Sequence, residues 1–326
     1  MMRVGVIGTG FGGRVVAPVF AATDGCTVVD VVSARNEEAV LELARRPDLD
    51  LLSVHSPPFL HAPHVRAALD AGKAVLCDKP FALDADEAAA LEAEAQDAGV
   101  VALCNFEFRY APARGLLRET VTSGELGRVE HVQWTHLSSG SRVPVRRWGW
   151  LFDAELGGGW IGAWGSHAVD AIRWMFGEIA NTQAIRRIDV RERPDETGAE
   201  HECTAEDGFT AALVLDEGVT VAIDSGFAAA VTLPTRLTVL GAEGACDVVN
   251  EHITVRRADG SRVAVTDAET ANGDPHLEPM RRFAEVVRDA VRSGEIPEHA
   301  PTFADGRACD AVLEQLRAGP LANQLR

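Results

Sequence analysis

Two glycine-rich stretches carry the chemistry that can be read from this sequence. Gly8-Thr9-Gly10-Phe11-Gly12-Gly13 follows the apolar run RVGVI and opens a helical stretch, fitting the pattern G-x-G-x-x-G. In that pattern Gly8 makes a tight turn, Gly10 lets the backbone approach a pyrophosphate, and Gly13 lets helix pack on strand. The helix start adds free N–H groups and a positive dipole end. The chemistry is dinucleotide binding, and Thr9, Phe11 and Gly12 complete the set of contact candidates. The second stretch, GGGWIGAWGSH at 157–167, places five glycines and two tryptophans ahead of a histidine. All six tryptophans of the chain fall between Trp134 and Trp174. Indole faces suit the apolar C–H faces of sugar rings, and glycines let backbone come close to a ligand. Trp150 and Trp160 are the pocket candidates, with Arg146, Arg147 and Asp153 nearby for hydroxyl or anionic groups. The loop contains no carboxylate.

The choice of nucleotide turns on the end of the second strand. A carboxylate about 20 residues past the glycine motif would bind a ribose 2′-hydroxyl. That count from Gly13 reaches Ser33, while Asp30 lies three residues earlier, inside the strand. Ser33 can donate to a 2′-phosphate and Arg35 can neutralise it, so NADP(H) is favoured over NAD(H).

These residues need a scaffold. Short apolar runs at 3–7, 27–33, 51–54, 74–77 and 100–104 alternate with helical stretches through about Ala22, at Glu37–Arg46, about His64–Ala71 and Ala85–Ala98. Asp84 and Glu87 form a capping box for the last of these, and Gly99 ends it. The alternation predicts a doubly wound parallel sheet, a Rossmann domain over 1–120. From 121 to 326 the pattern changes. Runs at 128–137, 182–191, 208–215, 219–228, 235–240 and 252–257 predict an α+β domain with an open, mostly antiparallel sheet. DEG at 216–218 and ADG at 258–260 mark hairpin turns. The acidic stretch 192–207 reads as a solvated excursion, and two helices near His276–Ser293 and Phe303–Ala318 finish the chain.

At 326 residues, 46% hydrophobic and 25% charged, the chain suits two globular domains. Its net charge of -18 argues against nucleic acid or an anionic membrane surface as partner. No apolar run reaches membrane-span length, and the glycine-broken N-terminus reads as folded structure. The six cysteines are scattered without metal-ligand spacing, so no metal is expected, and buried thiols in a reducing cytoplasm are.

Ser56-Pro57-Pro58 leading to His61, Cys77-Asp78-Lys79-Pro80, and GGGWIGAWGSHAVDAIRWMFGE at 157–178 follow the glycine motif in order. Together they resemble the glucose–fructose oxidoreductase/inositol dehydrogenase (Gfo/Idh/MocA) family across nearly the whole chain. The resemblance implies that Ser56, Pro57, His61, Asp78 and Lys79 border the cofactor. Asp78-Lys79-Pro80 stands for the family's Glu-Lys-Pro, whose lysine reaches the reacting oxygen. It further implies that His167 relays the substrate proton, with Asp170 beside it, and that Asn105 and Arg109 border the cleft. Ala163 stands where the family has an acid, four residues before His167. The stretch Arg46–Leu51 is too short for the family's extra helix and strand, so the sheet should be one strand short on the adenine side. The implied activity is an NAD(P)-dependent oxidoreductase on a sugar, cyclitol or polyol, as a homodimer or homotetramer. A cofactor-retaining hydrolase or lyase using transient oxidation and a non-catalytic NADP-binding protein remain as alternatives.

Overall fold

Strands buried on both faces must be apolar throughout, and the central runs of the first half meet that demand. In the computed structural model, which describes residues 1–264 and 273–325, they form β1 (Met2–Ile7), β2 (Cys26–Val32), β3 (Leu51–Val54), β4 (Ala74–Cys77) and β5 (Ala102–Cys104). All pairs are parallel, in the order β2-β1-β3-β4-β5. The sheet ends at β2, as the short Arg46–Leu51 connection predicts. A helical turn at Gly12–Val16 runs into α1 (Ala17–Ala22), and α2 (Glu37–Ala44), α3 (His61–Asp70) and α4 (Ala85–Ala98) fill the other crossovers. Asp84 caps α4 by accepting the Glu87 N–H at 2.8 Å, while Glu87 accepts from Leu83 rather than from Asp84 itself.

The chain splits into two compact units, 1–110 with 273–311, and 111–272 with 312–326. The second opens with α5 (Pro112–Thr122) and β6 (Val129–Leu137), followed by α6 (Ser166–Phe176) and β7 (Ile179–Arg187). A ribbon of β8 (Glu192–Pro194) and β9 (Glu200–Glu202) precedes β10 (Gly208–Leu215), β11 (Thr220–Gly226), β12 (Arg236–Gly241), β13 (Gly244–Val249), β14 (His252–Arg257) and β15 (Arg262–Ala264). The main sheet runs β15-β14-β13-β12-β6-β11-β10-β7, antiparallel except where β6 meets β11. The β13 strand, GACDVV, escaped the sequence reading because an acid and a glycine interrupt its pattern.

The stretch 192–207, read as a solvated excursion, is exposed over 196–200 but turns inward at Arg193, Cys203 and 205–207. Arg193, Glu206 and Asp207 are buried, at 0%, 3% and 1% exposure. Arg193 lies 3.9 Å over the Phe152 ring, donates to the Ser141 carbonyl at 2.5 Å and faces Asp207 at 3.6 Å.

The chain then returns to the first unit through α7 (Leu277–Ser293), before α8 (Phe303–Arg317). Met280, Phe283, Ala284, Val287 and Ala290 recur at helical spacing on α7 and join Val4, Val6 and Phe20 in one core. Each large side chain so buried contributes about 2 kcal/mol. No helix among the described residues is long and apolar enough to cross a membrane.

Candidate functional site

In the first unit the predicted residues gather at the carboxyl ends of the strands. Each exit is hung on a neighbouring strand: Gly8 N–H on Val32, His55 on Ile7, Asp78 on Val54 and Asn105 on Cys77, at 2.7–2.9 Å. Strand order reverses between β1, β2 and β3, and ligands of such sheets bind in the crevice at that point. Gly8 has φ +111°, and a Cβ there would collide with the His55 carbonyl oxygen. Gly8→Ala is therefore expected to cost on the order of 3 kcal/mol and to weaken nucleotide binding at least about tenfold. Thermal melting and a nucleotide titration check this, and unchanged values for both would sink it.

Gly10 is exposed, and a Cβ built on it would meet nothing within 4 Å. The open space over this backbone fits the close approach of a pyrophosphate, so the turn suits the dinucleotide. Thr9 is exposed, Gly12 is buried and Gly13 half-buried, and Phe11 stands edge-on to His55 and His276, with centroids 5.8 and 5.0 Å away. Ser33 and Arg35 are exposed at the end of β2, and the Ser33 hydroxyl accepts the Arg35 N–H at 3.3 Å. Asp30 turns back onto its own strand, accepting the Val31 N–H at 2.8 Å.

Ser56 is buried beside half-buried Pro57, its hydroxyl 3.0 Å from His64 Nδ1. His61 is wholly buried, with Nε2 2.8 Å from the Ser56 carbonyl and Nδ1 3.2 Å from that of Phe81. Burial pushes His61 down, and takes His64 to about 4. His61 thus braces the Ser56-Pro57 turn from inside and presents no surface to a ligand, which corrects its reading as a cofactor contact. Asp78 and Lys79 are half-buried, and Asp78 Oδ1 accepts the Lys79 backbone N–H at 3.0 Å. Asn105, fully buried, points Nδ2 at the same oxygen from 3.4 Å. Arg109 departs from its reading as a substrate contact. Its side chain is 5% exposed and pairs with Asp305 at 2.8 Å, so its charge is used within the unit.

In the second unit the glycine loop closes around a carboxylate from elsewhere in the chain. Gly159 has φ +108°, and a Cβ there would strike the Glu206 carboxylate. Glu206 Oε1 accepts the Ile161 N–H at 3.0 Å, and its carbonyl accepts that of Trp160 at 2.8 Å. Burial pushes the Glu206 carboxyl up, with Arg317 and Arg186 working against it. Sequence reading missed this residue, although GlySer-poor, acid-rich Glu206-Asp207 directly before an alternating strand was a visible oddity. Trp160 stacks on Phe227 with centroids 4.2 Å apart and donates to the Ser225 hydroxyl at 2.8 Å. Trp150 and Ala163 are half-buried and pack on the same cluster. His136, also missed, lies parallel to Trp164 at 5.0 Å; burial, then the Arg114 charge, takes it down to about 4. His167 and Asp170 sit on α6 at 3% and 1% exposure.

A parallel sheet with a glycine turn open to a phosphate, in a chain whose second unit is built on a mixed open sheet, defines a dinucleotide-binding protein of Rossmann type with a second domain. Residues 2–106 match the model of an "Oxidoreductase family, NAD-binding Rossmann fold", and residues 116–247 that of the "GFO/IDH/MocA C-terminal domain". The chain belongs to the Gfo/Idh/MocA family. It is 31% identical to D-xylose 1-dehydrogenase (NADP(+)) 2 of Haloferax volcanii, over 83% of this chain and 79% of that protein. It is 28% identical to levoglucosan dehydrogenase of Pseudarthrobacter phenanthrenivorans, over 60% of this chain; the match spans only 57% of that relative's length. A solved levoglucosan dehydrogenase in complex with NADH and L-sorbose superposes with a TM-score of 0.84 at 21% identity, covering 97% of each chain, which is a likeness of fold.

Proposed function

We propose that this protein is an NAD(P)-dependent oxidoreductase acting on a hydroxyl or ketone group of a sugar, cyclitol or related polyol. The observation that supports it most directly is the shared strand edge, where the open turn at Gly10 and the Asp78-Lys79 pair lie on loops of one sheet. When bound, the nicotinamide supplies the hydride acceptor or donor. Lys79 donates a hydrogen bond to the substrate oxygen and stabilises the charge that develops there. In the second unit, His167 is the group we propose for proton exchange. Within the second unit, Trp150 and Trp160 offer apolar surface to a sugar ring and Asp170 is a buried polar group, while Asn105 is buried in the first unit beside Asp78. The named sugar relatives support this substrate class. We take the open sheet face, where Ile185, Val214 and Leu240 are exposed, as the surface of a homodimer or homotetramer in the cytoplasm.

We further propose NADP(H) as the preferred cofactor. The reading is supported by Ser33 and Arg35, both exposed just after β2, and by Asp30, which is turned to its own backbone. Fluorescence titration with NADPH and with NADH, followed by a polyol and ketose screen, tests both proposals. Ser33→Asp is expected to weaken NADPH binding at least about tenfold while leaving NADH within about threefold, because a carboxylate repels the phosphate. Tighter binding of NADH than NADPH by the parent protein would overturn the preference. Binding of neither would overturn the activity.

A further inference from the structure

Asp78 has two carboxylate oxygens and three neighbours that fill them. Oδ1 takes the Lys79 N–H and the Asn105 amide, and Oδ2 lies 3.3 Å from Nδ1 of His55. The His55 side chain is wholly buried, and its Nε2 lies 2.7 Å from the Ser53 hydroxyl. Burial works against ionising Asp78, but the contact with His55, then the charges of Lys79 and His61, hold its carboxyl well below the usual carboxylate range. An ionised carboxylate only accepts, so His55 Nδ1 carries the proton of that bond. The same side chain underlies the glycine turn. A Cβ on Gly12 would meet His55 Cβ at 2.9 Å, and the Phe11 ring lies edge-on to the imidazole.

We propose that His55 is a positioning residue for the reaction: it ties the Asp78 carboxylate, and with it the Lys79 backbone, to the underside of the dinucleotide turn. The inference rests on the oxidoreductase reading of Lys79. One side chain thereby sets two loops against each other, so that the lysine is delivered at a fixed place relative to the bound cofactor. A tie through a buried side chain holds position to a fraction of an ångström, and small misplacements of a reacting group are costly.

The test uses the full-length chain carrying His55→Ala or His55→Asn, with three readouts: kcat and substrate KM in the alcohol-oxidising direction, titration with the tighter-binding nicotinamide nucleotide, and thermal melting. The alanine variant should lose about tenfold in kcat while substrate KM and nucleotide affinity stay within about threefold. His55→Asn, whose amide can donate where Nδ1 did, should recover most of the loss in kcat. An alanine variant with the parent's kcat overturns the proposal. So does one whose nucleotide affinity falls in step with kcat, since His55 would then only support the turn. If His55→Ala does not fold, Ser53→Ala takes its place: a lowered kcat at unchanged nucleotide affinity supports the tie, and an unchanged kcat overturns it. Failure of the Lys79 reading looks different, because Lys79→Ala would then keep its turnover whatever His55 does.

Discussion

Lys79→Ala is expected to lower kcat by about 10²- to 10³-fold while leaving nucleotide affinity within about threefold. The estimate follows from the role proposed for the side chain. A preorganised donor to an oxygen that gains charge in the transition state supplies roughly 3–4 kcal/mol, and each 1.36 kcal/mol is a factor of ten. Affinity is expected to hold because the phosphate contacts are assigned, under the proposed function, to the backbone of the turn at Gly8–Gly13 after β1, whereas Lys79 follows β4. Its backbone remains tied to Asp78 in the variant, since that bond is made by the main-chain N–H. Steady-state turnover and nucleotide titration on the same preparation separate the two effects. A variant retaining a third or more of the parent's rate would mean that Lys79 is not the group acting on the substrate oxygen.

Arg193→Ala should be the most damaging change away from the strand edge, lowering stability by about 3–5 kcal/mol. The guanidinium has 0% side-chain exposure and its neighbour Asp207 has 2%. Removing the cation leaves a buried carboxylate facing a cavity. It also strips donors from the Ser141 carbonyl and hydroxyl and from the Arg146 carbonyl, and takes the cation from the face of Phe152. Among the described residues, Asp207 would keep the N–H groups of Asp189 and Val190. Because Phe152 lies two residues after Trp150 and packs in the same cluster, the surroundings of Trp150 should loosen with the fold. Melting should show a drop on the order of 10 °C for the second unit. Adding Asp207→Asn should restore part of it, because the neutral amide removes the unpaired charge. A single variant within about 1 kcal/mol of the parent would show that the cluster is plastic enough to rehydrate.

Elements set by local pattern were legible in the sequence. The strands at 51–54 and 74–77, the helix at 85–98 and the short sheet ending at β2 all follow from runs, caps and connection lengths. The glycine turn was legible because its chemistry is contained in six consecutive residues. What was not legible joins distant positions. Glu206 meets Ile161 across 45 residues, Arg193 meets Ser141 across 52, and His276 meets Glu107 at 2.6 Å across 169. Charge within 192–207 suggested solvent because composition reports how many charges a segment has, not which of them find buried partners. His61 and Arg109 went the other way. Their residue types suit a ligand, but each is turned inward, His61 to carbonyl groups and Arg109 to a carboxylate. Histidine and arginine satisfy structural roles and binding roles with the same atoms, so sequence position alone does not separate them.

The return of the chain to its first unit bears on how the protein is made. The core under β1 is completed by Met280, Phe283, Ala284 and Val287, which are translated more than 160 residues after Tyr110, the end of that unit's first segment. At about 5–20 residues per second, a nascent chain waits roughly 10–30 s between the two. Throughout that interval the nucleotide-binding sheet stands on the ribosome with one apolar face uncovered, while the whole middle of the protein is being synthesised. The intervening unit can begin folding in that interval, so the first core closes only after most of the second unit has been made, and the second unit's own last segment, 312–326, emerges later still.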